Sequence, residues 1–433
     1  MTWKTSLSRL STSFAFAALC LTFFYVASTL ICKRKQVNLP PDPAPLPIIG
    51  NIHQLPPAED LLRKRGNLYN SRPRLAVVGE CFTKGMSSVL IPYGNQWRAH
   101  NRIFLSLLGG HLESKQLLFD LLAGSMDSRE DESSEFEFSA HIHRLTCSVM
   151  SSLIYGRRLK SFDMEDVAKV DEHVKEFSHE GNRSETQLAE MFPVLNYLPS
   201  WLAPWKRRGD EIHAKTVDYF EKNVAIGKKN APWNFTHQAD RLRNGGALHD
   251  IYEMPNTEMA YFLGHMQGAG SETTTVILRL FVLACVLHPS KIQTAQHEID
   301  RVVGMRLPSF DDASRLPHVN ALINEFKPER WLESPDLPSY SFGLGRRFCP
   351  GKHLAQGTLF ITISRLLWAY NITHASRGGH KVEVDPWVMV QGLAAPPLPF
   401  EAAFRVRSKR HREIIQSEWE NAEKDLDKII SLS

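Results

Sequence analysis

Cysteine is scarce in this chain. Six residues among 433 (Cys20, Cys32, Cys81, Cys147, Cys285 and Cys349) are scattered, with no CxxC pair. That spacing excludes a disulfide-stapled secreted scaffold and is simplest in a reducing compartment. An excess of one charge is also missing. Lys and Arg number 51 against 47 Asp and Glu, and a net +4 is too small to argue for nucleic acid. No Gly/Ser linker or internal repeat divides the middle, so one large domain is preferred over a string of modules. Strand-like alternation is sparse and concentrates near Lys381–Met389. From Gln96 onward apolar residues recur at three and four positions, which predicts a mainly α fold with a small β region. At 43% hydrophobic and 23% charged, the chain has enough apolar surface for a large core.

One long uncharged run stands at the N-terminus. Phe14–Cys32 spans 19 residues and runs directly into Lys33-Arg34-Lys35. The length approaches the ~20 residues of a membrane-crossing helix, and the basic stop places the bulk of the chain on the cytosolic side. A cleaved signal peptide is the rival, with small residues at Ala27-Ser28. A retained anchor over residues 1–36, with a single domain over 37–433, is the expectation. Pro40-Pro41-Asp42-Pro43-Ala44-Pro45-Leu46-Pro47 comes next as a stiff, extended stretch. Further on, Asp127–Glu137 reads as a solvated acidic loop, and Arg405–Ile430 as an amphipathic tail helix.

The most informative segment is Phe342-Gly343-Leu344-Gly345-Arg346-Arg347-Phe348-Cys349-Pro350-Gly351. A lone thiol among glycines and an arginine, ahead of an apolar helix over Lys352–Leu367, suits an axial ligand to haem iron. The thiolate is the ligand, so its charge must be stabilised in place. Gly345 and Gly351 would permit backbone geometry and close approach that a side chain forbids. Backbone N–H groups and the helix N-terminus would then face the sulfur. Arg347 could hold a haem propionate by charge-assisted hydrogen bonds. The bland alternative is an inert, buried cysteine in a turn.

This segment resembles the FxxGxRxCxG pattern of the cytochrome P-450 family at every specified position: Phe342, Gly345, Arg347, Cys349 and Gly351. A second stretch, Ala269-Gly270-Ser271-Glu272-Thr273-Thr274, is similar to that family's A-G-x-[DE]-T motif on the helix over the distal haem face. It lies within a long apolar helical pattern (Met259, Phe262, Leu263 and Met266, then Val276–Leu287) that reads as buried rather than as a second membrane span. A glycine inside a helix costs ~1 kcal/mol. A locally opened turn at Gly270, with Thr273 and Glu272 relaying protons, would give it a purpose. The alternative is a threonine bonding its own helix backbone. Trp97-Arg98-Ala99-His100-Asn101-Arg102 resembles the family's WxxxR helix, which binds haem propionates. Here Asn101 stands four after Trp97, and Arg102 is one position later, with Arg98 or His100 as possible substitutes.

Two departures from the resemblance are as informative as the matches. Glu325 stands where the family's ExxR motif begins, but the position three later is Pro328, and Phe326-Lys327-Pro328-Glu329-Arg330-Trp331 already resembles a later segment. Likewise Leu55-Pro56-Pro57 passes straight to Ala58–Leu62, skipping the family's first helix and opening strands. Arg330 could partly replace the missing arginine; a truncated chain is the other reading. Breaking such a buried pair costs ~3–5 kcal/mol. Phe192–Trp201 is apolar and broken by proline; it is either a membrane- and substrate-facing loop, as in the family, or a buried connection.

The resemblance implies a cytochrome P-450-like haem domain with an incomplete sheet behind one N-terminal transmembrane helix in the endoplasmic reticulum membrane. It further implies haem b, electrons from NADPH through a reductase docking near Arg346 and Lys352, and one oxygen atom inserted into a small, apolar organic substrate. The Tyr69–Pro73 and Glu413–Lys424 segments look similar to filamentous-fungal members, many of which tailor secondary metabolites. The alternatives are a relative without activity and a thiolate-haem isomerase or dehydratase.

Overall fold

The computed structural model describes residues 71–103, 115–120, 138–161, 165–230, 233–244, 252–325, 342–343, 345–389 and 396–423. Contacts divide the chain into Met1–Lys64 and Arg65–Ser433, and all described residues belong to the second unit. The Phe14–Cys32 run, the proline segment, the Ala58–Leu62 junction, the Asp127–Glu137 run and Arg330 lie outside the described residues, as does the Glu325 side chain.

A single helix organises the core. In chain order, α1 (Asn95–Ile103), α2 (Phe138–Tyr155), α3 (Glu165–Gly181), α4 (Ser184–Met191), α5 (Pro204–Lys229) and α6 (Phe235–Asn244) precede α7 (Asn256–Leu287). Its 32 residues span ~48 Å at 1.5 Å per residue. It stops at His288, whose φ of −127° and ψ of 56° are non-helical, because Pro289 disfavours the helical conformation of the residue before it. The first half buries Met259, Phe262, Leu263 and Met266 with Met150 and Leu153 of α2 and Phe235 of α6. The second half buries Leu278, Phe281, Val282 and Val286 in a separate core with Trp368, Tyr370 and Phe404. By length and composition α7 could cross a membrane, but half of its most apolar stretch is buried inside the protein. It is a core helix, as its pattern indicated.

The glycines of α7 have a packing reason, which corrects the expectation of an opened turn. The helix runs unbroken through residues 269–274. A Cβ on Gly270 would meet Met150 Sδ at 2.5 Å, and one on Gly264 would meet Phe220 ring carbons at 2.2–2.3 Å. Both positions therefore let a neighbouring helix, α2 or α5, press against the α7 backbone.

After α8 (Pro289–Val302) and α9 (Pro317–Glu325), α10 (Lys352–Ala369) runs into the small β region. Strand β1 (Tyr370–His374) precedes the two-residue strands β2 (Ser376–Arg377) and β3 (His380–Lys381), then β4 (Ala402–Val406). β1 pairs antiparallel with β4, Ile372 opposite Phe404, and both of these residues face the core. β2 and β3 form a ribbon turned by Gly378 and Gly379, whose φ values are 53° and 77°, as a tight hairpin requires. Alternation had pointed to Lys381–Met389. There, only Lys381 lies in a strand, and Met389 makes an isolated bridge to Pro397. The true pair was hidden because β1 continues directly from a helix and its partner is far away in sequence.

The tail helix is α11 (Lys409–Glu420), shorter than expected, with Ser408 as its cap accepting from the His411 N–H; Arg405 and Val406 belong to β4. Between α4 and α5, a single 3₁₀ turn forms over Pro193–Tyr197. Tyr197 and Trp201 there are 85% and 72% exposed, as is Met191 at the end of α4, at 72%, so the reading of a buried connection is overturned.

Candidate active site

The Cys349 loop is closed by its own backbone. The Cys349 N–H donates to the Phe342 carbonyl at 2.7 Å, and a 3₁₀ turn covers Gly345–Arg347. Gly345 enters that turn at φ 64°, where a side chain would be strained. Gly351 differs from expectation. Its φ is −81°, open to any residue, and an added Cβ would stand 3.8 Å from Cys349 Sγ, an ordinary contact. What Gly351 contributes is its N–H and its place as the residue capping α10. Burial pushes the half-buried Cys349 thiol above its ordinary value, and the Gly351 N–H opposes that rise. The orphan N–H groups at the start of α10 work in the same direction. Lys352 lies over the Phe342 and Phe348 rings, at 5.8 and 5.1 Å.

Two residues singled out as propionate holders come together. The Arg347 guanidinium stands 4.5 Å over the Trp97 ring and donates to the Ile91 carbonyl at 2.8 Å. Trp97 leans in turn on Tyr93, at 5.1 Å between centroids. Burial pushes Arg347 down to about 10, and the like charge of Arg72 adds to that. The proposed substitutes for the family arginine are placed elsewhere. His100 is fully buried and bonded to Glu258 at 2.8 Å and Ser88 at 2.8 Å, which ties α1 to α7. Arg98 is exposed and bonds Asn95 of its own helix. The Arg102 side chain lies outside the described residues.

On α7, Glu272 and Thr273 line a cavity of about 1860 Å³, with Ala269 and Gly268 on the same wall. An ordinary small-ligand pocket holds about 300–1,000 Å³, so this cavity is ample for a small organic molecule. The Thr273 hydroxyl donates to the Ala269 carbonyl at 2.8 Å, which is the backbone-bonded arrangement weighed as its alternative. His143 of α2 places Nδ1 4.0 Å from Glu272 Oε1 and 3.4 Å from Thr275 Oγ1. Cys349, Arg347 and Trp97 do not line this cavity. His143, His173 and His265 do; sequence reasoning missed all three, because no local motif marks them and only the helix packing brings them to one wall.

A family model described as Cytochrome P450 matches residues 49–326 and 324–404. The chain belongs to the cytochrome P450 family. Its two matched pieces meet at residues 324–326, the junction where Glu325 runs into the Phe326–Trp331 segment. Among curated relatives, the cytochrome P450 monooxygenase aneD of Aspergillus aculeatus is 32% identical over 520 aligned positions, covering 96% of this chain and 98% of aneD. FrzL of a Cladobotryum species is 31% identical, covering 92% and 93%. PeniB of Penicillium patulum is also 31% identical, covering 90% and 89%. A chain of 433 residues leaves at least 87 of the 520 aligned positions (520 less 433) without a residue of this chain. The chain is therefore shorter than aneD within the aligned span.

Members of this family are haem-dependent oxidoreductases fed with electrons by a reductase, and the described residues fit such a group. A thiol whose charge is disfavoured by burial is what a metal cation corrects, by taking the thiolate outright. A half-buried guanidinium, depressed by burial and by a second cation, is completed by an anion such as a propionate. A tryptophan face beside it offers apolar cover.

Proposed function

We propose that the chain is a haem-thiolate monooxygenase, with Cys349 as axial ligand to haem b. The observation that carries this is the closed Cys349–Phe342 loop beside Arg347 held over Trp97. Gly345 sets the loop's turn, Phe342 receives its closing bond, and the Gly351 N–H supports the sulfur. Arg347 and Trp97 hold the propionates, with Arg102, on the same helix as Trp97, as a further cation. When bound, haem supplies the activation of dioxygen. Glu272 and Thr273 hold and pass protons on the cavity wall. The Thr273 hydroxyl, bonded to the Ala269 carbonyl, is released by a change of χ1 rotamer. Electrons come from NADPH through a reductase, whose acidic face meets exposed Arg346 and neighbouring Lys352.

The substrate is a small organic molecule. The fungal relatives support a role in secondary metabolism, and no other partner, nucleic acid included, is invoked. Phe14–Cys32 anchors the chain in the endoplasmic reticulum membrane with the catalytic domain cytosolic. Exposed Met191, Tyr197 and Trp201 are the side chains that rest on the bilayer surface. A second reading, a cytochrome P450 relative that has lost activity, is favoured by one observation, the break of the family match at 324–326 beside Pro328.

Isotope labelling separates the two. A fungal host expressing the full chain with a reductase, grown under ¹⁸O₂, is expected to accumulate at least one metabolite carrying a single labelled oxygen. That metabolite should be absent when Cys349→Ala replaces the wild type. Haem-loaded protein with no labelled product would instead support the inactive reading or an isomerase or dehydratase.

A further inference from the structure

The cavity wall carries two imidazoles from different helices that no part of the haem chemistry uses. His173 of α3 and His265 of α7 flank the same ring, Phe220 of α5, at centroid distances of 5.1 and 5.9 Å. Both line the cavity that Glu272 and Thr273 line. The hydrogen-bond pattern fixes the tautomer of His173. Thr216 gives its one hydroxyl proton to the Ile212 carbonyl at 2.7 Å. The 3.3 Å contact between Thr216 Oγ1 and His173 Nδ1 is therefore donated by the ring, and His173 Nε2 is left with a lone pair. His265 uses Nδ1 on Ser87 Oγ at 2.9 Å. Among the described residues neither Nε2 has a protein partner. Burial pushes His173 down to about 4 and His265 down to about 3, so both rings are uncharged near neutral pH. Glu176 opposes the fall at His173 without reversing it.

We infer that this cavity takes a neutral molecule bearing a hydroxyl or amide N–H, which His173 accepts and His265 flanks, about 12 Å along α7 from Thr273. The inference deepens the monooxygenase reading and rests on it for one point, that Thr273 marks the reacting end. Residues 265, 269 and 273 fall four apart on one helical face, and all three line the cavity. At this wall uncharged imidazoles offer a carboxylate no charge pairing, which only Lys175, Arg183 and Arg279 elsewhere on the lining could supply, whereas a hydroxyl finds the acceptor lone pair of His173. The apolar substrate expected from the sequence is thereby narrowed to an amphipathic one, polar at one end and oxidised at the other.

The probes are 1-decanol, its methyl ether and decane. Binding is read from the concentration dependence of the ligand-induced rise in Tm, which needs no turnover and registers with or without haem. Wild-type protein is expected to bind decanol about tenfold more tightly than the ether, the value of one buried hydrogen bond. In His173→Phe, which keeps a ring beside Phe220, decanol affinity should fall about tenfold, with decane changed less than twofold. Equal binding of alcohol and ether by the wild type overturns the inference, even if the phenylalanine variant fails to fold. An equal loss for decanol and decane in a folded variant overturns it as well. Haem content, measured separately in each sample, shows whether the monooxygenase reading fails instead. In coupled turnover, oxygen is expected at the end of decanol remote from its hydroxyl; oxidation beside the hydroxyl contradicts the 12 Å spacing.

Discussion

Cys349→Ala is expected to abolish sulfur ligation of haem completely while leaving the protein folded. Among the described residues no other cysteine can substitute. Cys147 and Cys285 are buried in packed cores; complete burial holds the Cys285 thiol far above its ordinary value. Cys81 is also raised, by partial burial, and its sulfur contacts the Ala76 carbonyl. The loop itself survives the change, since its closing bond runs from the Cys349 backbone N–H to Phe342 and α10 is capped by Gly351. Far-ultraviolet circular dichroism should match the wild type. The strongly red-shifted Soret band of the reduced protein with carbon monoxide should vanish, whereas Cys81→Ala and Cys285→Ala should keep it. A shifted band in Cys349→Ala would place the ligand elsewhere.

Gly264→Ala is expected to be the most destabilising single-methyl change in α7, costing about 3 kcal/mol. Its Cβ would stand 2.2–2.3 Å from three carbons of the Phe220 ring. That ring is 2% exposed and wedged between His173, Tyr261 and His265, so it has nowhere to turn. The helix-propensity gain of about 1 kcal/mol from removing a glycine offsets only part of the clash. Gly270→Ala is the internal contrast. Its obstacle is the Met150 thioether, at 2.5 Å, an unbranched side chain that can re-pack. Thermal unfolding should therefore show a large fall in Tm for Gly264→Ala, a small one for Gly270→Ala, and recovery in Gly264→Ala/Phe220→Leu. Equal effects at the two glycines would contradict the close approach of α5 to α7.

The local groupings were readable in the letters because their parts are neighbours in sequence. Phe342, Gly345, Arg347, Cys349 and Gly351 sit in one loop, and Glu272 and Thr273 in one turn. The long buried helix was readable for the same reason, since Met259, Phe262, Leu263 and Met266 repeat on one face. The readings that failed depended on distant partners. His100 looked available for a propionate until Glu258, far along the chain, was found to hold it. Gly270 looked like a notch for chemistry until Met150 filled the space beside it. Strand β1 has too few residues to show a period of its own, and only its pairing with β4 defines it. The His173–His265 wall was the least legible, because its polar contacts run to Thr216 and Ser87, far away in sequence.

The missing arginine after Glu325 raises the sharpest energetic question. Losing one member of a buried ion pair costs ~3–5 kcal/mol, a large share of the ~5–15 kcal/mol that holds a domain together. The packing around α9 and α10 is nonetheless retained among the described residues. α9 packs on α10 through Val319 and Ile323 with Leu359, Phe360 and Ile363 in the same cluster, so burial still fixes the proximal helix that carries the cysteine loop.

The most direct test is the absorption spectrum of the purified full chain, supplied with haem during expression, reduced, and exposed to carbon monoxide. A strongly red-shifted Soret band is expected, with near-stoichiometric haem, because Cys349 donates a thiolate within a preformed loop. Folded protein that stays colourless, or shows only the unshifted band of nitrogen-ligated haem, would contradict the account at its centre.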